Sequence, residues 1–190
     1  MSTKAVVKNE RDSKWRVVDI AYIAVCASLM AICSWISIPT VVPFTLQTFA
    51  VFFALYFLGG KKGTISVLIY ILLGAVGIPV FAGFKGGLVA LVGQTGGYII
   101  GFVFSGLVFM LFEALFGRKL WAEIVAFVLG LLVCYAFGTA WFMVVYIRTK
   151  GAVTLLSVLG WCVFPFILPD AAKLALAFAL GKTMRKVIKW

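Results

Sequence analysis

Long apolar runs, separated by short connections that contain glycine, proline or lysine, fill almost the whole of this sequence. Hydrophobic residues occupy 64% of the 190 positions and charged residues only 12%, about half of the charged share of soluble domains. One hydrophobic core cannot absorb so much apolar side chain, so much of the surface must face lipid. The runs are continuous and do not alternate, which argues against a β-barrel. The sequence therefore predicts an all-α integral membrane protein.

A membrane-spanning helix needs about 20 apolar residues, and proline and glycine mark where such helices end. Six transmembrane helices are predicted, at about residues 17–37, 46–58, 63–80, 97–116, 120–145 and from 165 or 169 to the basic tail. Segment 81–97 is too rich in glycine to be helical throughout, and segment 148–164 is compatible with a short interfacial helix. We expect a basic N-terminal segment, 1–16, followed by a single six-helix domain, 17–190.

The basic residues are distributed unequally between the two ends of these helices. If the six helices alternate in direction, thirteen of the 17 Lys and Arg residues share one side of the membrane. They are Lys4, Lys8, Arg11, Lys14, Arg16, Lys61, Lys62, Arg118, Lys119, Lys182, Arg185, Lys186 and Lys189. Because basic residues concentrate on the cytoplasmic side, both termini are expected in the cytoplasm. The net charge of +11 is thus explained without a nucleic-acid partner.

One carboxylate and one amine, Asp170 and Lys173, interrupt the last apolar run in the stretch PFILPDAAKLALA. Three residues apart on a helix, they lie about one turn apart on nearly the same face. Each alone would cost roughly 2.5–3.5 kcal/mol inside the bilayer, and as neighbours they can neutralise each other. One interpretation is a structural ion pair that locks the helix to its neighbours. We favour a ligand site, because buried ion pairs are weak stabilisers.

Further polar residues are expected at the same outer level as this pair. They come from the start of the second helix, the segment 81–97 and the start of the fourth helix: Thr45, Gln47, Thr48, Lys85, Gln94, Thr95 and Tyr98. Aromatic walls are available from Phe44, Phe81, Phe84, Trp141 and Trp161. Taken singly, each polar residue is an ordinary interfacial or capping group. Together they predict a partly apolar pocket with a few directed polar contacts, the usual form of a small-molecule site.

Small residues recur at every fourth position on several predicted helices. The stripes are Gly97, Gly101 and Ser105; Gly130, Cys134 and Gly138; and Ala171, Ala175 and Ala179. Because small residues let helices approach closely in lipid, we interpret these stripes as internal seams of the bundle. The first helix carries two overlapping pairs, Ala24 with Ser28 and Ala27 with Ala31. There an internal seam competes with a docking face for an external helix.

The sequence argues against a metal site and against a nucleotide-hydrolysing motif. The chain has no histidine and no carboxylate cluster, so a metal site has little to build on, and no cofactor is expected. The four scattered cysteines are interpreted as packing residues. The stretch LGKT at 180–183 lacks the upstream glycine of a phosphate-binding loop, because Leu176 stands there. Any ATP that powers transport is therefore hydrolysed by another subunit.

Four stretches together carry a resemblance to one family. VPFTLQTFAVFFALYFLG (42–59), LIYILLGAVGIPVFAG (68–83), GQTGGYIIGF (93–102) and PFILPDAAKLALA (165–177) resemble the BioY family, the biotin-specific S components of energy-coupling factor (ECF) transporters. The resemblance covers nearly the whole chain in order. It implies a six-helix S-component fold in the prokaryotic plasma membrane and high-affinity capture of biotin from outside. It also implies assembly with a transmembrane coupling subunit and two cytoplasmic ATPases.

The resemblance also assigns roles to particular residues. Asp170 and Lys173 match the acidic and basic ligand contacts of the family, and segment 81–97 matches its gating loop. The motif of small residues that binds the coupling subunit corresponds to Ala24, Ala27, Ser28 and Ala31. The chain departs from the usual pattern at Gln94, where proline is common, and at Phe84-Lys85, where smaller or neutral residues are common.

The chemistry of biotin suits the candidate residues. Its ureido ring carries two N–H donors and a carbonyl, which a carboxylate and an ammonium group recognise with strong directed bonds. We expect the tail carboxylate to contact Lys85, with Lys173 as the alternative. The expected substrate-binding set is Asp170, Lys173, Lys85, Tyr98, Gln47, Thr45, Gln94, Phe81 and Trp141.

Three alternatives to an ECF biotin subunit remain. One is a solitary biotin facilitator that works without coupling subunits, and uptake by the chain alone in liposomes would identify it. Another is an S component for a different small vitamin. The third, an integral membrane enzyme, is disfavoured because the sequence offers neither a nucleophile–base pair nor a metal cluster.

Overall fold

The structure is a computed structural model that describes residues 16–187. Within this range the chain forms eight helices and a two-stranded ladder. The helices are α1 (Val17–Trp35), α2 (Gln47–Leu58), α3 (Gly60–Ala75), α4 (Leu88–Val92), α5 (Gly96–Phe116), α6 (Leu120–Lys150), α7 (Leu155–Cys162) and α8 (Phe164–Val187). The strands are β1 (Ser37–Ile38) and β2 (Phe44–Thr45). Residues 1–15 of the predicted basic segment, and Lys189, lie outside the described range.

Four stretches of the described chain are long and apolar enough to cross a membrane. They are Val17–Trp35, Gly96–Phe116, Leu120–Lys150 and Leu155–Val187, the last of which combines α7 and α8. Helix α2, with 12 residues, and helix α3, with 16, are shorter than the about 20 residues that a standard span requires. The prediction of a mostly helical chain with helices able to span a membrane is confirmed, whereas the number of six spans stays a prediction.

The connection between α2 and α3 is much tighter than the sequence suggests. It consists of Gly59 alone, whose positive φ of 87° suits glycine, and Lys61 and Lys62 already belong to α3. Glu113 caps the new helix, because its Oε2 accepts a hydrogen bond of 2.6 Å from the Gly60 N–H. Arg118 binds the other carboxylate oxygen of Glu113 at 2.5 Å and donates to the Leu58 carbonyl at the end of α2.

One further helix boundary differs from the prediction, and the start of the last helix agrees with the first of its two predicted positions. Helix α3 ends at Ala75, not near residue 80, and Gly77 follows with a positive φ of 104°. Helix α8 begins at Phe164, so that Pro165 lies in its first turn and Pro169 lies inside it. Proline is tolerated in the first turn of a helix, and membrane helices also accept it further in. Asp170 is consequently almost two turns into α8 and not at its first turn.

The strand pair is a feature that the all-α prediction did not contain. β1 and β2 pair antiparallel, with Ser37 opposite Thr45 and Ile38 opposite Phe44. Pro39 and Pro43 lie in the loop between the strands and prevent it from continuing α1. The ladder therefore folds Phe44 and Thr45 back towards the end of α1.

The small-residue stripes of α5 and α6 form an internal seam, as predicted. A Cβ added at Gly97 would lie 2.2 Å from the Trp141 Cβ, and one added at Gly101 would lie 3.0 Å from the Cys134 Sγ. Ser105 donates a hydrogen bond of 2.7 Å to the Gly130 carbonyl across the same seam. Close helix approach of this kind is what small residues permit in lipid.

The same prediction is wrong for the last helix, and the first helix, for which a seam and a docking face were both left open, has one pair in each environment. Ala171, Ala175 and Ala179 are exposed on α8, because the buried face of that helix instead passes through Asp170, Lys173, Leu174, Ala177 and Gly181. On α1, Ala27 and Ala31 are packed inside the bundle. Ala24 and Ser28 face outward on the same helix.

One end of the bundle is fastened by ion pairs, and we call it the basic end. The helix termini here are the ends of α2, α5 and α8 and the starts of α1, α3 and α6. Arg185 of α8 binds Glu123 of α6 at 2.5 Å, stacks 3.7 Å from the centroid of the Tyr56 ring and donates to the Tyr56 carbonyl. Lys62 of α3 binds the buried Asp19 of α1 at 2.7 Å. These contacts join α8 with α2 and α6, and α3 with α1.

Candidate ligand-binding cavity

A cavity of about 530 Å³ opens at the opposite end of the bundle. Its wall is built from the β1–β2 loop and the start of α2, from the segment between α3 and α5, and from α5, α6, α7 and α8. Small-molecule sites usually have volumes of about 300–1,000 Å³, so this cavity has the size of one. We call this the cavity end of the molecule.

Asp170 and Lys173 form a buried ion pair in the cavity wall. The Lys173 Nζ lies 2.8 Å from the Asp170 Oδ1, and the two residues are only 6% and 3% exposed. The Tyr135 hydroxyl of α6 donates to the second carboxylate oxygen, Oδ2, at 2.6 Å. Both carboxylate oxygens are therefore held by donors, and each still has a lone pair for a further hydrogen bond.

Aromatic rings cover the ammonium group of this pair. The Lys173 Nζ lies 3.9 Å from the centroid of the Phe44 ring, within the range of a cation–π contact. Phe44 stacks on Phe166 with a centroid distance of 5.9 Å. Lys173 is thus placed between a carboxylate and an aromatic face, and this placement explains how the bundle tolerates a buried amine.

Gln47 carries a buried polar group that lacks a partner. Its side chain lines the cavity and is 6% exposed, yet its Nε2 has no hydrogen-bond acceptor among the described residues. The backbone N–H of the same residue is satisfied by the Thr45 hydroxyl at 3.2 Å. A buried amide donor without a partner is costly, so an acceptor atom on a bound molecule would stabilise it.

Tyr98 enters the cavity from α5 and is held by α6. Its hydroxyl makes a hydrogen bond of 3.0 Å with the Thr139 hydroxyl, and its ring packs on Gly138. A Cβ added at Gly138 would lie only 2.2 Å from the Tyr98 Cδ1. The glycine therefore fixes how deeply this ring can withdraw from the cavity.

Lys85 is presented over the cavity by a small hairpin. Phe81 and Lys85 exchange backbone hydrogen bonds of 2.9 and 3.3 Å, and the turn between them has positive φ values at Gly83 (70°) and Phe84 (56°). Phe81 is buried and anchors the hairpin, whereas Lys85 is exposed and makes no ion pair within the described range.

Eight of the nine predicted substrate-binding residues line this cavity: Asp170, Lys173, Lys85, Tyr98, Gln47, Thr45, Gln94 and Phe81. Trp141 does not line it. Its indole N–H donates to the Gly93 carbonyl at 3.0 Å, and its Cβ packs on Gly97, so it supports the segment before α5 from behind. The contribution of each lining residue to binding stays a prediction.

Sequence reasoning missed several lining residues, of which Tyr135, Phe166, Cys134 and Cys162 are examples. Cys134 was assigned to a packing seam, and it does pack there, but its other side faces the cavity. For Tyr135 a signal existed, because a tyrosine hydroxyl in the middle of an apolar helix usually has a polar partner.

Comparisons with known proteins give one consistent result. The model of the BioY family matches residues 5–190. A biotin transporter BioY from Thermotoga maritima is 38% identical over 161 residues, which are 84% of this chain and 91% of that protein. A probable biotin transporter BioY from Pyrococcus horikoshii is 38% identical over 168 residues, which are 88% of this chain and 96% of that protein.

A solved structure agrees with these relatives in fold. It is a 2.1 Å crystal structure of the S-component for biotin from an ECF-type ABC transporter. The two structures superpose with a TM-score of 0.76 and 26% sequence identity, over 98% of this chain and 95% of the other.

Proposed function

Since this chain belongs to the BioY family, we propose that it is the biotin-binding S component of an ECF-type transporter. It is a transport protein of the membrane and not an enzyme, in agreement with the relatives named as transporters. The observation that carries the ligand assignment is the buried Asp170–Lys173 pair in the wall of a cavity of about 530 Å³.

The polar groups of the cavity complement a cyclic urea. The Asp170 carboxylate accepts a hydrogen bond from one ureido N–H group, and the Lys173 ammonium donates to the ureido carbonyl beside it. Bonds to charged groups are stronger than bonds between neutral groups, which suits a ligand that must be captured at low concentration. The unpartnered Gln47 amide supplies a further donor, and Phe81 and Phe166 of the cavity wall pack against the apolar part of the ligand.

The tail carboxylate of biotin is assigned to Lys85. Lys173 is already engaged by Asp170 and by the Phe44 ring, whereas Lys85 is exposed above the cavity without a carboxylate partner in residues 16–187. Replacement of Lys85 by Ala should weaken biotin but not biotin amide, which lacks the negative charge. Since exposed ion pairs contribute about 0.2–1 kcal/mol, the expected loss of biotin affinity is about 1.4- to fivefold. Lys150→Ala is the control, because Lys150 does not line the cavity.

Six membrane spans, with both termini in the cytoplasm, complete the proposed topology of a multi-pass cell-membrane protein. Helices α2 and α3 serve as the two short spans, about 18 and 24 Å long at 1.5 Å per residue. The concentration of Lys and Arg at the basic end supports a cytoplasmic location of that end, and the cavity then opens to the outside. The exposed Ala24 and Ser28 on α1 support a docking face for the coupling subunit, and two ATPases supply the energy.

The test of the whole assignment is direct. The chain is purified in detergent, co-purifying small molecules are identified by mass spectrometry, and biotin binding is measured by calorimetry. We expect bound biotin and a saturable one-to-one titration. A chain that does not bind biotin, or that binds another vitamin more tightly, would contradict the proposal. Uptake by the chain alone in liposomes would indicate the solitary facilitator instead.

A further inference from the structure

The structure assigns to Tyr135 a role in ligand recognition: its hydroxyl fixes the Asp170 carboxylate in the orientation at which it receives the ligand's N–H donors. This inference rests on the proposed function, because the ligand in question is the cyclic urea of biotin. Tyr135 is a positioning residue in this scheme, since it acts on the ligand through Asp170. It lies on α6 and lines the cavity.

The geometry at Asp170 supports this role. Lys173 holds Oδ1 at 2.8 Å, and the Tyr135 hydroxyl holds Oδ2 at 2.6 Å. A carboxylate bound at both oxygens by donors from different directions cannot turn about its terminal bond without breaking one of them. Two ionised oxygens accept about four hydrogen bonds in total, so the two held positions leave room for an N–H donor of the ligand.

Tyr135 can orient the Asp170 carboxylate because it lies on a different helix, α6. Asp170 and Lys173 are neighbours on one helix at i and i+3, so their contact alone does not tie the pair to another helix. Among residues 16–187, Tyr135 is the hydrogen-bond donor to Asp170 from a different helix. It therefore sets the carboxylate relative to α6, and hence relative to the opposite wall of the cavity.

A chemical preference follows from this arrangement. A fixed, ionised carboxylate offers only acceptors, so the ligand must bring donors at that point. A ureido N–H that faces Asp170 fills a free position, whereas a ring methylated at that nitrogen brings a methyl group there instead of a donor. Fixing the carboxylate should therefore increase the preference of the cavity for biotin over N-methylbiotin.

The experiment compares Tyr135→Phe with Tyr146→Phe, which is the same change on the same helix at a residue that does not line the cavity. Binding of biotin and of ring-N-methylated biotin is measured by calorimetry for each purified chain. Loss of one hydrogen bond to a charged group predicts about a tenfold weaker binding of biotin by Tyr135→Phe, and no change for Tyr146→Phe. Binding of N-methylbiotin should fall less, so that the preference between the two ligands narrows.

A second arm repeats Tyr135→Phe in an Asp170→Asn background. If Tyr135 acts through Asp170, the two effects are not additive, and the second substitution adds little to the first. Equal weakening of both ligands, full additivity with Asp170→Asn, or unchanged biotin affinity in Tyr135→Phe would each overturn the inference. Failure of the unaltered chain to bind biotin would instead contradict the proposed function.

Discussion

At the scale of single residues, Asp170 and Lys173 stand on adjacent turns of α8 as a buried ion pair. Because both are buried, the loss of one partner should strongly destabilise the fold. Removal of one partner of a buried ion pair leaves an uncompensated charge, which typically costs about 3–5 kcal/mol. Removal of both partners leaves no uncompensated charge. The pair can therefore be tested for a structural role and for a ligand-binding role in the same experiment.

We expect Lys173→Leu to lower the free energy of unfolding in detergent by about 3–5 kcal/mol, because Asp170 then lies buried without its cation. The double variant Asp170→Leu/Lys173→Leu should recover most of this stability and still fail to bind biotin. Thermal unfolding and calorimetry provide the two measurements. Normal biotin binding by the double variant would show that the pair serves only the fold.

At the scale of the helices, the α5–α6 seam determines the position of one cavity wall. A Cβ at Gly138 would collide with the Tyr98 ring, which must then move towards the cavity. We expect Gly138→Ala to weaken biotin binding by about tenfold, since a displaced ring also loses its Thr139 hydrogen bond.

The control for this substitution is Gly160→Ala in α7. A Cβ there meets no atom within 4 Å, so the change adds helix propensity without a collision. It should leave the biotin affinity as it is. An equal loss of affinity in both variants would show that the collision at Tyr98 is not the cause.

The hairpin Phe81–Lys85 is connected to α1 through a stacked ring pair. Trp35 stacks on Phe84 with a centroid distance of 5.2 Å and donates its indole N–H to the Pro79 carbonyl at 2.8 Å. We expect Phe84→Ala to speed the dissociation of biotin, because the hairpin that carries Lys85 loses its contact with α1. Stopped-flow displacement measures this rate.

Trp35→Phe is the matched variant, because it retains an aromatic ring for stacking and removes the indole donor. If the dissociation rate of biotin rises in Phe84→Ala but hardly in Trp35→Phe, the ring stack between residues 35 and 84, and not the indole hydrogen bond, holds the hairpin in place. Unchanged dissociation rates in both variants would contradict the expectation that the contact of the hairpin with α1 slows the release of biotin.

The positions of most helices could be predicted from the sequence because apolar runs and prolines report directly on helix length. The end of α3 could not, since it depends on Gly77 and on the insertion of Phe81 against Gly74, a contact across the turn. The orientation of the Ala171 stripe was missed for a related reason. On a helix that is apolar all round, spacing alone does not show which face is buried.

The candidate site was predictable where it depended on charge and not where it depended on packing. Asp170 and Lys173 stand out in an apolar run, whereas the hydrogen bond from Tyr135 to Asp170 joins residues 35 positions apart on α6 and α8, which spacing does not reveal. The same reason explains why Trp141 was assigned to the cavity: an aromatic residue near the right level lines either a pocket or its supporting layer.

At the scale of the whole molecule, the two ends of the bundle differ in structure. The basic end is fastened by ion pairs, and the cavity end carries the exposed Lys85 hairpin. Helix α1 runs between both ends and turns Ala24 and Ser28 outward along the way. A partner that docks on α1 would therefore reach a face that is separate from the cavity.

We expect Ser28→Trp to abolish uptake driven by the ATPases while leaving biotin binding intact, since the bulky ring would block close approach of a partner helix. Reconstituted transport and calorimetry measure the two properties. Leu132→Trp on α6 is the control for a large exposed ring away from α1, because Leu132 is already a large side chain at 54% exposure. Transport at the normal rate by Ser28→Trp would contradict a docking face at this position.

The internal cancellation of Asp170 and Lys173 has an electrical consequence. Among the described residues that line the cavity, the remaining charge is that of Lys85 at the mouth. Moving one elementary charge across the membrane potential costs or releases about 2.3 kcal/mol per 100 mV. The charges of Asp170 and Lys173 sum to zero, so the potential exerts no net force on the pair. A movement of this pair across the bilayer would therefore transfer no net charge.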